Sequence, residues 1–372
     1  HKDVVELILN NAVTKGIDLK SRNKDGRTIL SLASFQGQTE VVKLLLLHSV
    51  TENMNLDVSP TDIFDIFTWA CRNGHGDIVQ MLVDHYAKHI ERNGLPAFRL
   101  ACKYGHKEVV KVLLDHSSIN IGLNAKESYG YTAFMLSCNN GHKDIVKLLL
   151  NHSERIELNA RSNNGGTAFI CACEKGNKDV VQLLLDHSES TIELNTRCIK
   201  LKGENAFLRT CRRGRKDVVQ LLLDHSERIE LNARNDDGWT AFMLACQEGH
   251  TNVVKLLLDH PDKNELNARC YQIGWTAFMS ACFRGHKDVV QLLLELPDSG
   301  IDVNTKSNSS GKTALMLACQ RGRLDVVKLL LEHSGRSIDL NAKDNSGSTA
   351  IMIASRMGCQ KVVQLIKSKL AQ

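Results

Sequence analysis

The chain is poor in residues that interrupt helices and in motifs that carry chemistry. Only four of its 372 residues are proline and 5% are aromatic, while 42% are hydrophobic and 24% charged. That balance suits a helix-rich protein with ample apolar surface to bury, and it argues against disorder. No apolar run reaches the roughly eighteen residues that a membrane-crossing helix needs, which excludes a transmembrane span. The formal net charge of +5 is too mild over this length to imply a nucleic-acid or membrane partner, so local clusters matter more than the total. There is no Gly-rich phosphate loop after a strand, no H-E-x-x-H and no nucleophile elbow, so a non-enzyme without catalytic residues, metal or cofactor is expected. The first residues, HKDVVELILN, lack an initiator Met and the layout of a signal peptide. They begin inside a pattern that recurs as HKDVVQLLL at 286–294, so a fragment cut upstream is expected.

What is abundant is repetition. A Gly ending a short apolar segment recurs at 37, 74, 105, 141, 176, 214, 249, 285, 322 and 358, with spacings of 31 to 38 residues. Such a period marks a stacked-repeat architecture. The fullest copy is the seventh, NARNDDGWTAFMLACQEGHTNVVKLLLDH at 232–260. A second Gly lies eleven positions before the marker in every copy but the second, which has Ile63, and the Asn/Asp/Ser-rich tract around it reads as a turn. Two residues later stands a helix-start residue: Thr28, Asp65, Thr132, Thr167, Asn205, Thr240, Thr276, Thr313 or Thr349, with Pro96 as the exception. The segment that follows is apolar all round and reads as an inner helix. The marker Gly ends it, and a second, striped segment such as Val253, Val254, Leu256, Leu257 and Leu258 reads as an outer helix. Two helices this short cannot bury their own faces, so each copy needs its neighbours.

These phrases give the resemblance. DGWTAFMLACQEGH and GKTALMLACQRGRLDVVKLLLEH are similar to the ankyrin repeat's G-x-T-P-L-H-L-A-A-x-x-G-H-x-x-V-V-x-L-L-L, over essentially the whole chain. The resemblance implies an all-α ankyrin-repeat solenoid of stacked helix-turn-helix units with hairpin-like turns and a concave groove. On this reading residues 1–14 are the outer helix of a truncated unit, 15–366 hold ten repeats and 367–372 form a C-terminal tail. The chain departs from the family where Met135, Met243, Met279, Met316 and Met352 replace the tetrapeptide's His, and where the second copy lacks its turn Gly.

Eight of the twelve cysteines occupy one repeat position, three residues before the marker Gly. That register suits small buried side chains rather than a metal site or a disulfide ladder, because equivalent atoms in stacked helices lie about 10 Å apart. So many unpaired thiols point to a reducing, cytoplasmic compartment. Thirteen of fifteen histidines fall after the marker Gly or at the end of the outer helix, where a cation complements the helix C-terminus.

With the frame fixed by folding, function is expected where copies differ. In the ankyrin family the groove-lining positions are the residue after the turn Gly and the two residues before the marker Gly. By register they are, among others, Tyr131, Trp239, Trp275 and Lys312 in the first row, Arg212 and Phe283 in the second, and Tyr104, Arg213, Arg284 and Arg321 in the third. Trp, Tyr and Arg are hot-spot residue types. The sixth copy, FLRTCRRGRKD at 207–217, carries five cations in eight positions. Its Arg209 replaces an inner-helix Leu and needs an acid such as Glu174 or Glu204. The expected function is a protein-binding module, scaffold or adaptor whose groove takes a partner protein's acidic peptide or loop, with no small-molecule substrate. The alternatives are nucleic-acid or polyanion binding through the same basic-aromatic patch, or the targeting arm of a larger protein.

Overall fold

The computed structural model describes residues 2–15, 21–51, 60–90, 94–116, 121–187, 191–260, 266–296, 300–333 and 337–371. Residues 1 and 372, the ends of the expected fragment and tail, lie outside them. The chain divides into two compact units, one of His1–Asn163 with Leu183–Thr191 and one of Asn164–Gln182 with Ile192–Gln372.

The first unit begins with α1 (Lys2–Lys15) and continues in helix pairs: α2 (Ile29–Phe35) with α3 (Thr39–Thr51), α4 (Pro60–Asn73) with α5 (Gly76–Ile90), α6 (Gly94–Tyr104) with α7 (Lys107–Asp115), and α8 (Ala133–Asn140) with α9 (Lys143–Leu150). Inner helices stack in the order α2, α4, α6, α8, and outer helices in the order α1, α3, α5, α7, α9. The helices that follow are α10 (Ala168–Lys175), α11 (Lys178–Asp186), α12 (Ala206–Arg212), α13 (Lys216–Leu223), α14 (Ala241–Glu248), α15 (Thr251–Asp259), α16 (Ala277–Arg284), α17 (Lys287–Glu295), α18 (Ala314–Gln320), α19 (Leu324–Glu332), α20 (Ala350–Arg356) and α21 (Gln360–Leu370). In the second unit α10, α12, α14, α16, α18 and α20 form the inner layer, and α13, α15, α17, α19 and α21 the outer one. Residues 367–370, read from sequence as the start of a tail, belong to α21. This is an all-α ankyrin-type solenoid, as the sequence predicts, and none of the described residues forms a multi-residue strand.

The inner layer is the core. Phe67, Phe98, Phe134, Phe169, Phe207, Phe242 and Phe278 hold one repeat position and are all fully buried, each contributing about 2 kcal/mol of apolar burial. Seven inner helices start as expected: Thr28, Thr132, Thr167, Asn205, Thr240, Thr276 and Thr313 each accept a backbone N–H three residues on. Thr349 makes no such bond, and its buried hydroxyl has no partner.

Two copies depart from the expected start. The second was expected to begin its inner helix at Asp65, but α4 is helical from Pro60, so helix takes the place of the turn. In the third, Gly94 was expected in a turn and Pro96 at the helix start, but α6 begins at Gly94 itself. Pro96 sits in the first turn, where its missing N–H would have no intrahelical partner anyway, so the helix extends back past it.

Candidate protein-binding surface

Three backbone-directed devices bring the variable residues into register, two of them invisible as chemistry in the sequence. The marker Gly takes a left-handed conformation, for example φ 67° at Gly214, and a Cβ there would meet His250 at 2.5 Å. The bare Gly lets the next copy's side chain approach. His106, His142, His250 and His286 each use that approach to donate Nε2–H to the carbonyl two residues before the previous marker Gly, on Arg72 (2.7 Å), Lys103 (2.9 Å), Arg212 (2.9 Å) and Gln247 (2.8 Å). Where Arg replaces His the bond persists: Arg215 Nε donates to the Glu174 carbonyl at 3.0 Å and Arg323 Nε to that of Phe283 at 3.2 Å. The connector Asn is the third device. Asn195 Nδ2 donates to the Arg228 carbonyl (3.0 Å) while its Oδ1 accepts from Glu230 N (3.0 Å), and Asn124 and Asn304 do the same in their copies.

The first-row and second-row positions are eight residues apart within a copy, and they close on each other. Arg27 lies over the Phe35 ring at 4.6 Å. Glu204 pairs with Arg212, Trp275 meets Phe283 edge-on at 4.8 Å, Lys312 donates to Gln320 at 2.9 Å and Arg356 donates to Ser348 at 3.0 Å. One geometry thus accepts five chemistries, which explains why these positions vary without disturbing the frame.

In the sixth copy the pairing becomes a network. Arg209 is 7% exposed at its side chain and Glu204 is wholly buried. Arg209 reaches Glu174 at 2.5 Å and Glu204 at 3.4 Å, so the two acids expected from sequence both serve it. Arg212 also approaches Glu248 at 3.9 Å, and Arg213 pairs with Glu174 at 2.8 Å. Burial pushes the Glu174 carboxyl up, but the hydrogen bonds and charges of Arg209 and Arg213 outweigh it and hold the group below its ordinary value. Of the five cations, Arg209, Arg212 and Arg213 are paired with carboxylates and Arg215 is fastened to a carbonyl, leaving Lys216 at the start of α13.

The remaining candidates fall into two groups. In the second unit, Arg321 lies over the Phe283 ring at 4.4 Å, so Trp275, Phe283 and Arg321 form one cluster across two copies. Arg284 beside it is exposed, and Trp239 is half-buried. In the first unit, Tyr104 is exposed and carries Arg72 at 5.5 Å and Lys103 at 5.7 Å from its ring, while Tyr131 is half-buried. Sequence reasoning put Gln320 and Glu204 on the groove rows but did not pair them with Lys312 and Arg212; the constant eight-residue spacing was the signal that could have found both pairs.

Eleven of the twelve thiols are buried, and desolvation pushes Cys102, Cys171 and Cys319 up to about 12. Among the described residues no helix is long and apolar enough to cross a membrane.

The pattern of left-handed Gly, Thr cap, inner and outer helix and cross-copy His agrees with the family comparison. A family model described as "Ankyrin repeats (3 copies)" matches residues 53–125, 100–198, 190–268, 207–307 and 296–372, and one described as "Ankyrin repeat" matches 25–57. The chain belongs to the ankyrin repeat family. Ankyrin repeats are in general protein–protein interaction modules and typically non-enzymatic. A search of curated proteins finds no match to this chain.

Proposed function

We propose that this ankyrin-repeat chain is a scaffold or adaptor that holds a partner protein's acidic segment on the second unit. The observation that supports it is the Trp275–Phe283–Arg321 cluster with exposed Arg284 beside it. Aromatic rings and guanidinium groups already ordered by one another lose little freedom on binding. Trp239 and Lys312 extend the same rows in the seventh and ninth copies. Arg212 and Arg213 border the surface, but their charge is largely spent on Glu204 and Glu174, which moves the centre of the site toward the eighth and ninth copies and weakens the case for a polyanion. Twelve free thiols favour a reducing, cytoplasmic setting.

The test is capture from nuclease-treated lysate by the chain and by a variant with Trp275, Phe283, Arg284 and Arg321 changed to Ala, its helicity checked by circular dichroism. Retention of a protein by the first and its loss by the second supports the reading. Capture of the same proteins by both sinks it. Capture that disappears only on nuclease treatment, with steep salt dependence, replaces it with the polyanion reading.

A further inference from the structure

One turn of the second unit carries a reactive pair that its siblings lack. The residue before the turn Gly is Asn164 in the fifth copy, where other copies have residues such as Asp25, Tyr129, Lys202, Asp237, Ile273 or Ser310. The Gly itself is fixed by the fold. Gly165 has φ 82°, and a Cβ there would stand 3.0 Å from the Ile199 backbone nitrogen, so a side chain at 165 is disfavoured twice over. The turn thus places a carboxamide directly before a residue with no side chain. In that arrangement the following peptide nitrogen reaches an Asn Cγ most easily, because no Cβ blocks its approach.

The hydrogen bonds single out the same pair. Gly26, Gly130, Gly238 and Gly347 each donate the N–H to the carbonyl three residues back, at 2.8 to 2.9 Å. Gly165 is buried, yet its N–H donates to none of the described residues. Asn164 is exposed, and neither its side-chain amide nor its carbonyl makes a hydrogen bond among the described residues. A buried peptide N–H without a partner is unfavourable, and closing a ring through that nitrogen removes it. The chain has three further Asn–Gly pairs, of which Asn93 lies outside the described residues. The other two end inner helices and are held there. Asn73 Nδ2 donates to the Trp69 carbonyl at 2.9 Å, and Asn140 Nδ2 to those of Leu136 at 2.9 Å and Lys103 at 3.2 Å. Gly141 spends its N–H on the Cys138 and Ser137 carbonyls. Asp25 and Asp237 also precede Gly, but an ionised carboxylate is a poor electrophile.

We propose that Asn164 is a modification site, converted by spontaneous deamidation with water as the only co-reactant. The Gly165 nitrogen attacks Asn164 Cγ. The N–Cγ bond forms, the Cγ–Nδ2 bond breaks, and the Gly165 proton passes through solvent to the leaving nitrogen, which departs as ammonia and leaves a five-membered succinimide. Water then adds to one of the two ring carbonyls, and the ring opens to Asp or, with the main chain rerouted through the side chain, to isoaspartate. The second product lengthens the backbone by one methylene between 164 and 165. Gly165, packed against Ile199, has no room to absorb it, so the fifth copy's turn loosens from the Ile199–Leu201 turn of the sixth. Either product puts a carboxylate at an exposed position. The site is a property of this turn and stands or falls separately from the surface proposed above.

The test holds the folded chain and the chain in urea side by side in mildly alkaline buffer. Peptides containing Asn164, Asn73 and Asn140 are followed by mass spectrometry for replacement of NH by O, and isoaspartate is identified by fragmentation. In the folded chain Asn164 converts about tenfold faster than Asn73 or Asn140, which must first give up a hydrogen bond and a helix end. In urea the three rates draw together, because all three share the same Asn–Gly chemistry. Asn164→Gln, whose longer side chain would need a six-membered ring, removes the early signal while circular dichroism stays that of the parent. An Asn164 no faster than the other two in the folded chain, the same spread of rates in urea, or Asp formed without isoaspartate overturns the proposal.

Discussion

The sixth and seventh copies solve one packing problem in opposite ways. In α14 the inner-helix position is Leu244, fully buried among apolar neighbours. In α12 the same position is Arg209, almost as deeply buried, and the copy is viable because Glu204 and Glu174 stand within ion-pair distance. A buried ion pair adds little net stability over a well-packed apolar side chain, but removing one partner leaves an uncompensated charge. The sixth copy is therefore the more fragile of the two, and its basic appearance in sequence is largely an internal matter. A run of cations in a repeat has to be read together with the acids that the register brings beside it.

The largest way to break this comparison is Glu204→Gln. It leaves Arg209 and Arg212 against a neutral amide, and a loss of about 3 to 5 kcal/mol is expected. A urea-unfolding midpoint that falls clearly below that of the parent chain checks it, whereas Gln247→Ala in the seventh copy should move it little.

Next in size is the His that clamps one copy to the one before. His250→Ala deletes a hydrogen bond to the Arg212 carbonyl and should lower stability by about 1 to 2 kcal/mol. His250→Arg should recover most of it, because Arg215 makes the equivalent bond one copy earlier. Thermal melts of the two variants separate this clamp from a simple packing role, which Arg would not restore.

The helix caps sharpen the comparison further. Thr240→Ala should lower stability by about 1 kcal/mol. Asn205 caps the sixth copy with its carbonyl oxygen, but its amide nitrogen is buried without a partner. Asn205→Thr should thus stabilise the chain by up to about 1 kcal/mol, since the cap survives and the orphan donor is gone. A melt that drops instead would mean the amide has a partner.

The smallest expected effect is in acid. Because the folded Glu174 carboxyl is held below its ordinary value, its contribution is fully present above the unfolded carboxylate range and is lost as pH falls through the folded value. Stability measured from neutral pH into the acid should therefore fall less steeply in Glu174→Gln than in the parent, from a lower starting point. Parallel curves would show that Glu174 carries no such linkage.

The frame was legible in the sequence because each of its signals has a local cause: Gly for the left-handed residue, Thr for the free N–H groups, apolar stripes for the layers. Where a local signal competes with another, reading failed. Gly94 follows Asn93 and looks like a turn, yet Pro96 favours the first turn of a helix, and α6 takes both residues. Ile63 in place of Gly showed that the second copy was irregular, but not that α4 would run back to Pro60. The candidate surface was legible as a set of positions and not as a set of contacts. Glu204 and Arg212 are eight residues apart, too far for helix periodicity to join, and meet only because the turn folds back over the end of its own inner helix. The cross-copy His bonds span thirty-four to thirty-nine residues, and no local rule pairs such positions.

The most direct test of the comparison is a double-mutant cycle between Glu204→Gln and Arg209→Met, read by urea unfolding. If the sixth copy's charges compensate one another internally, each single change destabilises the chain and the double variant recovers much of the loss, giving a coupling of about 1 to 3 kcal/mol. Two single effects that simply add would contradict it.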